Sequence, residues 1–200
     1  MTPAELLRLF EQRQAVLNGH FLLSSGLHSP RYVQCALVLQ YPDVTESLCR
    51  LLAAEFASDR VDVVVGPAMG AVTLAYELGR VLKCRALFTE RTDGVVALRR
   101  GFALRPGERV LVCEDVLTTG KSAREVIAGV VEPAGAVLAG VASLIDRGGA
   151  ADFAGIKVRS LLKVEAPTYA PDACPLCRQG LPLVKPGSRA TPAAKAQGHA

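Results

Sequence analysis

Two hundred residues, half of them apolar, suit one domain with a substantial core. The formal net charge is +4, but Lys185, Arg189 and Lys195 in an acid-free tail carry three of those charges. The body is therefore left near +1, which argues against a nucleic-acid-binding face. No apolar run reaches membrane-spanning length and Met1-Thr2-Pro3-Ala4-Glu5 is not a signal peptide, so the expectation is a cytoplasmic protein with no membrane partner.

In chain order, Thr2-Pro3-Ala4-Glu5 is a capping box with proline at the first helical position, and Leu6, Leu7, Phe10 and Val16 continue at helical spacing. Short apolar runs and turn residues fill His20 to Pro30, and Arg31 to Leu39 reads as extended. Asp43-Val-Thr-Glu46 is a second cap, predicting a helix to about Ser58. Strand and helix then alternate. Val61–Val65 is a buried strand, Gly70–Leu82 a helix and Arg85–Thr89 a strand. Asp93-Gly94 is a hairpin turn with Val95–Leu98 as the return strand. A strand at Arg109–Glu114, a helix at Ser122–Val131, and strands at Ala136–Ile145 and Lys157–Val164 complete the series. This alternation predicts an α/β fold, a parallel central sheet with helices on both faces and ligands at the strands' carboxyl ends. Residues 1–184 read as one domain, with a small N-terminal hood at about 1–40. The Pro-, Ala- and Gly-rich tail, 185–200, reads as disordered.

Four of the six cysteines sit in apolar segments and read as small core residues of a reducing compartment. Cys174-Pro-Leu-Cys177 is half of a tetrahedral zinc site. With no second C-x-x-C and no H-x-x-x-H, a structural or incidental role is expected ahead of a metal or redox one.

The richest stretch is Val110-Leu-Val-Cys-Glu-Asp-Val-Leu-Thr-Thr-Gly-Lys-Ser-Ala-Arg-Glu125. A buried strand delivers Glu114 and Asp115 to its carboxyl end. Val116 and Leu117 lead into a turn, Thr118, Thr119, Gly120, Lys121 and Ser122, whose backbone N–H groups suit a phosphate. Acids for sugar hydroxyls beside an amide nest make a ribose-phosphate site. Gly120-Lys121-Ser122 also ends like a P-loop, but Asp115 stands where that pattern needs its first glycine, and a carboxylate there would repel phosphates. Three further segments fall at strand ends. Gly66-Pro67-Ala68-Met69-Gly70 is a candidate pyrophosphate loop. Arg91, after Glu90, offers a fork for a phosphate, and Arg147, after Asp146, suits a carboxylate substrate. Arg99 and Arg100, on a glycine-flanked excursion, suit a lid that neutralises leaving-group charge.

The acid–turn segment resembles the phosphoribosyl-pyrophosphate (PRPP) motif of type I phosphoribosyltransferases. Over roughly Val16 to Arg189 the chain resembles one family, orotate phosphoribosyltransferase, and a bacterial subgroup of it. Phe21-Leu-Leu-Ser-Ser-Gly-Leu-His-Ser-Pro-Arg-Tyr32 is similar to that family's hood pattern, and Gly66-Pro67-Ala68, Glu90-Arg91, the PRPP motif and Asp146-Arg147 match in order. Leu98-Arg-Arg-Gly-Phe102 and the Cys174–Cys177 to Arg189 ending look like the bacterial subgroup. The chain departs from many relatives in lacking a lysine before Ser25-Gly26, a lysine in the pyrophosphate loop, and the K-x-x-K-x-H-G mobile loop. Arg99 and Arg100 stand in that last region, and Lys121 adds charge to the phosphate turn.

The resemblance implies a glycosyltransferase of pyrimidine (UMP) biosynthesis that joins orotate to PRPP, giving orotidine 5′-monophosphate and pyrophosphate, with Mg²⁺ as cofactor. It implies Arg91 and residues 114–122 for PRPP, Gly66–Gly70 for pyrophosphate, and Thr118 and Arg147 for orotate. Asp115, Arg99 and Arg100 would be the catalytic groups, and Glu114 and Asp115 would reach the metal through water, with no direct ligand implied. It also implies a homodimer that shares the loop across its interface. Two alternatives stay open: a purine-base transferase, and a non-catalytic PRPP-sensing regulator on the same fold. The near-neutral body and the absence of a winged-helix segment disfavour the regulator, and Arg147 with the Ser-Gly-x-x-Ser hood disfavours the purine base.

Overall fold

The apolar runs of the middle of the chain build a six-stranded sheet, seen in a computed structural model that describes residues 1–23, 25–148, 153 and 155–186. The chain runs α1 (Pro3–Gln12), β1 (Val16–Leu22), β2 (His28–Val33), α2 (Ala36–Leu39), α3 (Pro42–Ala54), β3 (Val63–Pro67), α4 (Val72–Leu82), β4 (Arg85–Thr92) and β5 (Val95–Leu98). It continues through β6 (Arg109–Leu117), α5 (Lys121–Val126), a π-turn at Ile127–Val131, β7 (Val137–Asp146), β8 (Val158–Lys163) and a last short helix, α6 (Pro175–Arg178). The sheet order is β5-β4-β3-β6-β7-β8, parallel except for the edge strand β5.

The connections explain where a ligand would bind. From β3 the chain moves one way, through α4 to β4. From β6 it moves the other way, through α5 to β7 and β8. Val63 and Val65 of β3 pack with Val110 and Val112 of β6 against Ala123, Val126 and Ile127 of the helix after β6. Val64, Leu111 and Cys113 point to the opposite face, against Leu48 and Leu52 of α3 and Leu74 and Leu78 of α4. Side chains alternate across the strands, so each face has its own apolar layer. The helices that follow β3 and β6 therefore lie on opposite faces. Between these two neighbouring strands the loops diverge, which is the switch point where open α/β sheets take their ligands.

The chain forms two compact units. The larger, Met1–Val16 with Val33–Glu165, holds the six-stranded sheet. The smaller joins Leu17–Tyr32 to Ala166–Ala200 and includes most of the two-stranded β1–β2 sheet. In the smaller unit the Leu22 N–H donates to Val184 O at 2.8 Å, and the His28 N–H donates to Tyr169 O at 2.8 Å. Residues 187–200, most of the tail, lie outside the described residues, as do Ser24 of the hood pattern and Gly149 after Arg147.

Several elements differ from the sequence reading. The capping box forms, with the Glu5 N–H on Thr2 Oγ1 and the Thr2 N–H on Glu5 Oε2. The helix stops at Gln12, however: Gln14 takes a left-handed φ of 57°, and Val16 opens β1. The segment read as extended from Arg31 to Leu39 ends its strand at Val33. Its apolar run Ala36–Leu39 is a single helical turn, with Val38 and Leu39 buried. The helix read from Asp43 starts instead at Pro42, with Tyr41 as N-cap and no side-chain cap, and it ends at Ala54 rather than Ser58. Proline at the first helical position removes a donor that would otherwise need a cap.

Candidate active site

At the carboxyl end of β6 the sequence turns from apolar to acidic without leaving the strand. Glu114 pairs in register with Ser143, and Leu117 with Asp146, so the acids lie in the middle of the parallel sheet. Glu114 is buried and Asp115 half-buried. Burial pushes the Glu114 carboxyl up to about 8. The Asp115 charge adds to that rise, and a hydrogen bond from Ser122 opposes it. Burial also raises Asp115, against a 2.9 Å hydrogen bond donated by the Val116 N–H to its Oδ1. Two adjacent carboxyls held out of water are poised for a cation or for hydroxyl donors, either of which would favour their ionised forms.

The turn that follows exposes Thr118 and Thr119 and reverses at Gly120. Gly120 has φ 67°, and a Cβ there would come 2.4 Å from the Phe153 ring, so a side chain is excluded twice over. Arg124 braces the turn, donating from Nη2 to Thr119 O at 2.7 Å. Lys121 extends outward, 3.9 Å from Glu125 one helical turn on. The helix from Lys121 continues to Val131, as the sequence suggests, but changes to π pitch after Val126.

The second loop, after β3, arrives at the same place. The Ala68 N–H donates to Thr89 O at 2.9 Å, and the Ala68–Met69 peptide is cis. The Gly70 backbone sits against the Asp115 carboxylate so closely that a Cβ would lie 2.8 Å from Oδ2 and 2.9 Å from Oδ1. The sequence offered Gly70 as part of a turn. The structure adds the acid that it faces, and α4 starts only at Val72.

The third loop follows β7. Arg147 donates its backbone N–H to Leu117 O at 2.8 Å, which fixes it beside the end of the PRPP-like strand. The Gly148 N–H on Asp146 Oδ1 at 2.7 Å shapes that turn. Arg147 is half-buried, and burial lowers its affinity for its proton, the condition in which a guanidinium gains most from an anionic partner.

The hairpin arginines turn to acceptors on or near the hairpin itself. Asp93 and Gly94 take φ of 50° and 83°, a turn of primed hand, and β5 returns as the sequence predicts. Arg91 donates to Gly94 O at 2.6 Å and is paired with Glu125. Arg100, at φ 58°, forks onto Glu90 with Nε–Oε1 of 2.6 Å and Nη2–Oε2 of 3.1 Å, and Arg99 donates to Thr92 Oγ1 at 3.0 Å. All three arginines are exposed and occupied by local acceptors. That Glu90 holds Arg100 and Glu125 holds Arg91 is not legible in the sequence, because pairings 10 and 34 residues apart leave no local signal.

A model of the phosphoribosyl transferase domain family matches residues 40–170. The chain is 54% identical over 189 residues to the orotate phosphoribosyltransferase of Pelotomaculum thermopropionicum, covering 94% of this chain and 99% of that one. It is 50% identical over 182 residues to the enzyme of the same name from Thermotoga maritima, covering 90% and 96%. Among solved structures, the crystal structure of orotate phosphoribosyltransferase from Aeropyrum pernix is similar with a TM-score of 0.70 and 26% identity, covering 80% of this chain and 94% of that one.

Proposed function

The chain belongs to the orotate phosphoribosyltransferase family, and from that membership and the geometry of its strand ends we infer that it transfers ribose 5-phosphate from PRPP to orotate, giving orotidine 5′-monophosphate and pyrophosphate. The observation that carries the reading is the junction at the switch point, where the Gly66–Gly70 loop closes onto Asp115 beside Glu114. One loop suits a pyrophosphate and the other a ribose phosphate, and the shared acids lie between them.

In this reading the backbone amides of Thr118 to Ser122 hold the 5′-phosphate, with Val116 and Leu117 carrying the chain into that turn. Glu114 and Asp115 accept from the ribose hydroxyls. Gly66, Pro67, Ala68, Met69 and Gly70 receive the pyrophosphate. Thr118 and Arg147 face orotate, with Arg147 paired to its carboxylate. Arg91, Arg99 and Arg100 exchange their glutamate, threonine and backbone acceptors for phosphate oxygens, lowering the charge that builds on the leaving group. The donor set suits Mg²⁺ held through water, since Glu114 and Asp115 offer hard oxygens and burial leaves both acids in need of a cation to ionise. Bound there, the ion would screen pyrophosphate and make it a better leaving group. The protein contributes alignment and charge complementarity, with no covalent step of its own. We propose further that the enzyme works as a homodimer in the cytoplasm, with the loop 91–102 and its three arginines shared between subunits, and that residues 1–184 form one catalytic domain. No helix among the described residues is long and apolar enough to cross a membrane.

A base panel tests the substrate. With PRPP and Mg²⁺, orotate should be consumed while adenine, xanthine and uracil are not. Turnover of a purine in place of orotate would refute the orotate reading, and PRPP binding without turnover of any base would favour a sensor. Within the orotate reading, Arg147→Ala should raise KM for orotate by about 10–150-fold, the equivalent of about 1.5–3 kcal/mol for a charge-assisted contact, with KM for PRPP little changed. Equal effects on both substrates would remove Arg147 from the orotate site. Gly70→Ala should lower kcat/KM for PRPP by about 10–100-fold, because its Cβ pushes Asp115 or the loop aside. A Gly70→Ala enzyme with unchanged PRPP kinetics would show that this approach is not used.

A further inference from the structure

The described residues of the smaller unit build almost no apolar core of their own. Neither hydrophobic cluster of the described residues includes a side chain from 17–32 or 166–186. Among its described residues the buried side chains are instead His20, Phe21, His28, Ser29 and Cys174. A unit this small usually needs a staple.

Four of its side chains converge. His20 on β1 and His28 on β2 present ring nitrogens 3.0 Å apart, Nε2 to Nδ1. Cys174 Sγ lies 3.5 Å from His20 Nε2, and Cys177 Sγ lies 3.7 Å from the same atom and 3.3 Å from His28 Nδ1. All four donor atoms fall within 4.8 Å of one another. Tetrahedral zinc with ordinary Zn–N and Zn–S bonds separates its ligands by about 3.3 Å for N–N, about 3.6 Å for N–S and about 3.8 Å for S–S. The cluster is already close to that size. His20 donates from Nδ1 to Leu181 O at 2.9 Å, so Nε2 faces the cluster as a lone pair, the outer-shell arrangement that orients a metal-bound imidazole. Hydrogen bonding alone fits poorly. Three groups crowd His20 Nε2, whose single lone pair serves one strong donor, and thiols donate weakly.

We propose that His20, His28, Cys174 and Cys177 bind one structural zinc ion that fastens the β1–β2 hairpin to the C-terminal segment. Zn²⁺ displaces the two thiol protons, so two thiolates and two neutral imidazoles give a site of zero net charge, suited to burial. Cys177, the exposed member, gives the ion its way in. The site shares no residue with the PRPP-like motif, so it stands or falls independently of the proposed reaction.

The test uses the full chain, purified under reductant after growth with zinc. Elemental analysis should find one zinc per chain after desalting. Exchange for Co²⁺ should give thiolate-to-metal charge transfer and the intense ligand-field bands of tetrahedral cobalt. A Cys174→Ser/Cys177→Ser variant should lose the metal and melt at lower temperature. His20→Asn, a gentler change, should weaken Co²⁺ binding at least tenfold. Neither zinc nor a Co²⁺ spectrum in the unaltered protein would overturn the proposal. So would a Cys174–Cys177 disulfide persisting under reductant, or metal content that survives the double substitution.

Discussion

Glu114→Gln should yield a protein that is harder to unfold and yet about 10²–10³-fold poorer in kcat/KM for PRPP. Both effects have one cause. Glu114 is buried beside Asp115, and its carboxyl is pushed up to about 8 from an ordinary value of 4.5. Below pH 4.5 it is protonated in both folded and unfolded chains and favours neither. Between 4.5 and about 8 the unfolded chain has lost a proton that the native state still holds. Stability therefore falls as pH rises through that window, and it levels off above it. Glutamine cannot ionise and escapes this loss. The variant should match the parent at pH 4 and exceed it by on the order of 3–5 kcal/mol at pH 8.5. Chemical denaturation at the two pH values measures the gap. No gap at high pH would mean that Glu114 ionises freely. Catalysis moves the other way, because an amide is a weaker acceptor for ribose hydroxyls and a weaker ligand for a cation. For the same reason PRPP and Mg²⁺ together should release close to one proton from the unaltered protein at pH 7. Calorimetry in buffers of different ionisation enthalpy would read that release. Asp115→Asn should show the same activity loss, since Asp115 also faces the Gly70 loop.

The double change Arg99→Ala/Arg100→Ala should cost kcat about 10²–10³-fold, the scale seen when a group that meets developing transition-state charge is removed. It should scarcely change the melting temperature. In the structure Arg100 forks onto Glu90 and Arg99 rests on Thr92, both exposed, and exposed pairs contribute little to stability. Their value on this account lies in exchanging carboxylate and hydroxyl partners for the leaving pyrophosphate. A matching loss of stability and activity would identify them as structural, and full activity would assign the mobile-loop role elsewhere. Arg91→Ala, which gives up Glu125, provides a comparison on the same hairpin.

Much of this arrangement was legible in the sequence because its determinants are local. Val63–Val65, Val110–Cys113 and Val141–Ile145 are buried on both faces, so they read as continuous apolar strands. Asp93-Gly94 specifies its hairpin through two left-handed residues. The PRPP-like motif is contiguous, so strand end, acids and turn are read in one pass. The Ala36–Leu39 turn was misread because four apolar residues carry no period that separates a helical turn from a strand. Ion pairs such as Arg91–Glu125 depend on how loops meet and leave no trace in spacing. The largest omission was the His–Cys cluster. Cys174 and Cys177 were visible as half a site, but His20 and His28 lie about 150 residues away and eight apart, a spacing that becomes meaningful only once the hairpin sets both rings on one side.

The most direct test of the central reading is product analysis on the purified protein with orotate, PRPP and Mg²⁺. Orotidine 5′-monophosphate and pyrophosphate should form in equal amounts, with orotate lost at the same rate and the reaction stopped by EDTA. Loss of PRPP without orotidine 5′-monophosphate, or an undiminished rate in EDTA, would contradict it.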